Sequence, residues 1–169
     1  MNTSELLVDA FGRIRGGVQE VLGGLHPDVL SFSPGPRSNS IAWLVWHLTR
    51  VQDDHVASAA GSDQVWISAG FAERFGLPFE PRATGYGQRP EEAAEMKVSS
   101  TELLLDYHEA VYRASVAYLG QLGESDLDRI VDRSWSPPVS LGVRLVSVVE
   151  DGLQHVGQAA YLRGLAGRG

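Results

Sequence analysis

The 169-residue sequence has no cysteine. Disulfides, thiolate metal sites and a protein-borne thiol nucleophile are therefore excluded. A metal site in this chain must be built from His, Asp and Glu, and any thiol chemistry must use a thiol brought in from outside. Basic residues are also few. Fourteen Lys and Arg stand against 21 Asp and Glu, giving a net charge of −7 and a pI of about 5.1, and Lys97 is the single lysine. No basic patch of the kind that tracks a nucleic-acid backbone is visible, so no nucleic-acid partner is expected. Long apolar runs are missing as well. The longest uncharged stretch, Ser38 to Thr49, falls well short of the roughly 20 apolar residues of a membrane span. The N-terminal Met1-Asn2-Thr3-Ser4-Glu5 lacks the basic and apolar regions of a signal peptide. These features predict a soluble, cytoplasmic protein with no membrane partner.

What is present has a helical period. In the first segment, Thr3 to Leu22, Leu7, Phe11, Ile14, Val18 and Leu22 recur at three- and four-residue steps, and Gly23-Gly24 ends it. A second helix is expected from about Ser40, with Asn39 or Ser40 as its cap, to Ala60 before Gly61. Glycines and prolines then break Ser62 to Val98, with a short helical turn expected over Phe71 to Phe75. A third helix is expected from Ser99 to about Leu122, where Ser99 and Glu102 have capping-box spacing. A fourth is expected from Ser140 to Leu165, ahead of a Gly-Arg-Gly tail. No long stretch alternates with the period of two that marks a strand. The expected fold is all-α: a four-helix bundle with long crossover connections, forming a single domain over residues 1–169.

On the fourth helix His155 falls inside the arc defined by Leu141, Leu145, Val148, Gly152, Ala159 and Leu162. Asp151 lies on the edge of that arc one turn earlier, while Glu150 points away. On the second helix His47 sits on the face of Leu44, Leu48 and Val51. Two imidazoles and a carboxylate aimed at one core suit Zn²⁺, with a fourth position open to water or substrate, and equally suit non-haem Fe(II). His47, Asp151 and His155 are accordingly the candidate metal ligands. An inward histidine is also an ordinary packed residue, and an Asp–His pair four residues apart is also an ordinary helix contact. His55 is a weaker ligand candidate, and His108 and His26 are expected to be structural. Asp54 and Arg144 are candidates for proton transfer and anion binding. Trp66 and Trp135, both in connections, could roof a site.

Asn39-Ser40-Ile41-Ala42-Trp43-Leu44-Val45-Trp46-His47-Leu48 resembles the second helix of the DinB/YfiT-like superfamily. Asp151-Gly152-Leu153-Gln154-His155-Val156-Gly157-Gln158 resembles its last-helix motif. The resemblance implies a four-helix bundle with a three-ligand site for a divalent metal, often zinc or nickel, related to mycothiol-dependent maleylpyruvate isomerases and thiol-dependent S-transferases. His47 matches the first ligand and His155 the last. Asp151 stands where some members carry His and the isomerase-like ones Glu, and Gln158 where some carry a further His. The implied function is transfer or isomerisation of a small electrophilic substrate using mycothiol, bacillithiol or a similar small thiol. A metal-dependent hydrolase, a metal-stabilised binding module or homodimer, and a bundle without metal are the alternatives.

Overall fold

A computed structural model describes residues 1–167; Arg168 and Gly169 of the expected tail, and with them the end of the expected 1–169 domain, lie outside the described residues. Four long helices dominate: α1 (Thr3–Leu22), α2 (Ile41–Ala60), α6 (Thr101–Leu119) and α7 (Leu141–Ala166). Three short ones, α3 (Val65–Ser68), α4 (Phe71–Phe75) and α5 (Pro90–Ala93), interrupt the long connection between α2 and α6. A two-stranded antiparallel ribbon, β1 (Ile130–Asp132) with β2 (Val139–Ser140), leads into α7. Apart from this ribbon the described residues are all-α.

The helix ends follow local chemistry. Asn2 and Glu5 form a reciprocal capping box at the start of α1. The hydroxyls of Ser40, Ser100 and Ser140 accept from Trp43 N, Leu103 N and Val143 N at the starts of α2, α6 and α7. Gly61, in the left-handed region at φ 68°, closes α2. Two expectations for α6 are corrected. Its cap is Ser100 rather than Ser99, with Glu102 bonded to the Ser100 hydroxyl, and it ends at Leu119, where the chain turns at Gly120.

Around the bundle, α1 and α2 each pack against both α6 and α7. Helices consecutive in sequence, α1 with α2 and α6 with α7, therefore sit diagonally, and the connections between them cross an end of the bundle. The α1–α7 contact is close because Gly152 carries no side chain: a Cβ there would lie 2.7 Å from Ile14 Cδ1. Phe11, Leu141 and Leu145, all fully buried, fill the end of the bundle nearest the ribbon. Removing each such side chain from water contributes roughly 1.5–3 kcal/mol. Helix α2 is buried almost all round, because α6 and α7 cover two sides and the α3–α5 connection wraps a third. His47 is held at its centre.

Candidate functional site

Helices α2 and α7 bring His47, Asp151 and His155 together, with one ligand atom from each lying within 4.8 Å of the others. Asp151 Oδ1 is 3.5 Å from His155 Nε2 and 3.9 Å from His47 Nε2. The spacing on α7 puts Asp151 and His155 one turn apart on the face that meets α2.

Each imidazole is fixed by its other nitrogen. His47 Nδ1–H donates to the Thr84 carbonyl at 2.6 Å, and His155 Nδ1–H donates to Gln158 Oε1 at 2.8 Å. A carbonyl oxygen accepts but cannot donate, so the neutral rings carry their proton on Nδ1 and turn an Nε2 lone pair toward Asp151. The Trp43 ring stacks on His47 at a centroid distance of 4.5 Å, and the two imidazoles meet edge to face at 4.8 Å. Burial holds the His47 pKa below its ordinary value, against the Thr84 bond. Burial also pushes His155 down, but the Asp151 and Gln158 contacts outweigh it and hold that pKa above the ordinary value.

The Asp151 carboxylate is unevenly partnered. Oδ1 lies between the imidazoles, while the buried Oδ2 has no hydrogen-bond partner among the described residues. A buried carboxylate oxygen without a donor is costly. The carboxylate–imidazole spacings approach the roughly 3.4 Å between ligand atoms of a tetrahedral site with ~2.1 Å bonds. Two Nε2 lone pairs and an unsatisfied carboxylate therefore fit a divalent cation.

A cavity of about 470 Å³ opens beside Asp151, lined by Asp54, His55, Tyr86, Trp135, Arg144 and Glu150 among others. Arg144 donates to Asp132 Oδ2 at 2.6 Å and lies 3.2 Å from both ring nitrogens of His55. Burial, and then the Arg144 charge, keep the His55 pKa low, so this ring is neutral at pH 7. Asp54 Oδ1 accepts from Gln64 Nε2 at 2.6 Å. Both catalytic candidates thus reach the cavity while bonded to neighbours. His55 packs on Arg144 and is not among the three clustered ligands. His108 is buried against Thr49, and His26 accepts from Asp28 N in a surface 3₁₀ turn, as structural histidines. Of the two tryptophans in connections, Trp135 flanks the cavity and is 63% exposed, whereas Trp66 is core. Sequence reasoning missed Thr84 and Gly85. A backbone carbonyl that sets a tautomer has no side-chain signature, and Gly85 was visible only as one of several loop glycines.

A comparison with curated proteins finds no match. A conserved protein of Enterococcus faecalis, known as a crystal structure, is similar at 33% identity over 96% of each chain, with a TM-score of 0.89. The family model for mycothiol-S-transferase matches residues 6–167. The chain belongs to the mycothiol-S-transferase family of DinB-like proteins.

Proposed function

We propose that the protein transfers the thiol of mycothiol to a small electrophile, with His47, Asp151 and His155 holding a divalent metal at the reaction centre. The observation that carries this is the Asp151 carboxylate, its buried Oδ2 unpartnered among the described residues and its Oδ1 facing two Nε2 lone pairs. The donor set of two imidazoles and one carboxylate suits zinc first, and also nickel or iron(II). A cation bound there supplies a Lewis acid that lowers the pKa of a thiol, so that it is thiolate at neutral pH.

The chain's own residues do the rest. Thr84 and Gln158 fix both neutral imidazoles with the proton on Nδ1, so binding through Nε2 needs no change of tautomer. The cavity beside Asp151 accommodates the body of a thiol or electrophile, with Tyr86 and Trp135 as its aromatic parts. Arg144 and Asp54, already anchored, shape its polar wall. The thiolate sulfur attacks the electrophilic carbon, the C–S bond forms, and the leaving group departs with the electron pair. The absence of cysteine leaves no internal thiol to compete for the electrophile.

The test is transfer of mycothiol to an alkyl chloride such as monochlorobimane, followed by thioether fluorescence. Wild-type protein loaded with zinc is expected to accelerate the reaction, and Asp151→Asn to lose the acceleration. No acceleration with zinc, nickel or iron(II) would overturn the transferase reading.

A further inference from the structure

The chain from Pro81 to Gln88 runs along α2 as a strap held by side chains at regular helical intervals. Trp43, His47 and Arg50 occupy one stripe of α2, four and three residues apart. Trp43 Nε1–H donates to Gln88 Oε1 at 2.9 Å, His47 Nδ1–H to the Thr84 carbonyl at 2.6 Å, and Arg50 Nε–H to the Ala83 carbonyl at 3.0 Å. From α3, Trp66 Nε1–H donates to the Pro81 carbonyl at 2.9 Å. The carbonyl that sets the His47 tautomer is thus the residue next to the one Arg50 grips.

Arg50 is fully buried in mid-helix. Its guanidinium also donates to Gln64 Oε1 at 2.9 Å and to the Tyr107 hydroxyl at 3.2 Å, and lies 3.5 Å from Asp53 Oδ2. Asp53 in turn accepts from Val65 N, Trp66 N and the Tyr107 hydroxyl, which roots the network in α3 and α6. A buried ion pair is poor value as stabilisation alone, since well-packed apolar residues of similar volume often do as well or better. What an apolar side chain could not provide here is a donor directed at Ala83.

We propose that Arg50 is a positioning residue for the metal centre: through Ala83 it fixes the Thr84 carbonyl against His47 Nδ1, and so holds the His47 Nε2 lone pair toward Asp151. This rests on the metal reading above only for its functional consequence. The geometric part stands on the protein's own hydrogen bonds.

Arg50→Lys keeps the buried charge and removes the guanidinium Nε–H. Trp66→Phe keeps an aromatic ring against Tyr107 and Arg50 but removes the strap's bond at Pro81 together with part of the indole's core volume. Imidazole nitrogen NMR reads both His tautomers directly, and a zinc competition titration reads affinity. In the wild type both neutral rings are expected to show a protonated Nδ1, with the His47 proton exchanging slowly. Arg50→Lys is expected to speed that exchange and bring in the Nε2–H tautomer at His47, weakening zinc binding about tenfold or more. His155, held by Gln158 rather than by the strap, should keep its tautomer, whereas general loosening would move both rings. If Arg50→Lys does not fold, faster His47 exchange with unchanged His155 in Trp66→Phe supports the strap's role, and unchanged exchange overturns it. An unaltered His47 signal in folded Arg50→Lys also overturns the proposal. A His47 change in a protein that binds no zinc even as wild type would uphold the positioning and refute the metal reading.

Discussion

The backbone of Gly85 lies so close to the His47 ring that an added Cβ would sit 2.7 Å from Nδ1, and within 3.0 Å of Trp43 and Trp46. Its φ of +90° is a further demand that glycine meets readily and a side-chain-bearing residue does not. Gly85→Ala should therefore destabilise the fold by about 1–3 kcal/mol and weaken divalent-metal binding, because the ring must yield. Thermal melts with and without zinc check this. A variant with wild-type stability and affinity would mean that the strap adjusts freely.

Metal binding should depend on pH through the two histidines. His47 stays neutral to below its ordinary value, while His155 holds its proton above its own. Between those two pKa values a metal must displace one proton, so affinity should rise about tenfold per pH unit; it should level off above the His155 pKa and steepen below that of His47. In the metal-free protein the sign for stability is the reverse. The raised His155 pKa contributes stability that is full below pH 6.5 and lost as pH rises through its folded value. Chelator competition from pH 5 to 9 measures the first effect, and a pH-independent affinity would contradict it.

His108 is fully buried, and burial lowers its pKa to about 4. Its Nδ1–H donates to Thr49 Oγ1, whose own proton goes to the Val45 carbonyl, which leaves Nε2 as a bare acceptor. The unfolded chain takes up this proton near pH 6.5 and the folded chain does not. Stability contributed by His108 is thus present above pH 6.5 and lost as pH falls toward 4, by about 3 kcal/mol in all. Urea unfolding of wild type and His108→Gln across this range should show a shallower acid loss in the variant. Parallel curves would contradict it.

Trp135 flanks the cavity yet is largely exposed. Trp135→Ala should leave stability within about 0.5 kcal/mol while raising the KM for thiol or electrophile several-fold. Steady-state kinetics with a parallel melt separates the two, and a loss of stability with unchanged KM would place Trp135 in the fold rather than the site.

Much of this was legible in the sequence, for physical reasons that differ by residue. The period of α1 and the stops at Gly23 and Gly61 follow directly from helix chemistry, and so does the short α4 in the glycine-broken connection. His47, Asp151 and His155 were visible because helical spacing puts them on inward faces. The cap of α6 is misread as Ser99 from its spacing to Glu102; the chemically similar Ser100 takes that place, its hydroxyl bonded to both Leu103 N and Glu102. The β1–β2 ribbon is too short to carry an alternation. Arg50 and Asp53 were invisible as core, because a charge in mid-helix ordinarily reads as a solvated face; here the wrapped connection supplies the partners that let them be buried.

The most direct measurement is elemental analysis of the protein purified without chelators or a metal-binding tag, beside Asp151→Asn and His155→Ala. A centre built from His47, Asp151 and His155 predicts about one divalent ion per chain in the wild type and a large loss in both variants. Wild-type protein that carries no metal, and gains no melting temperature with zinc or nickel, would contradict it.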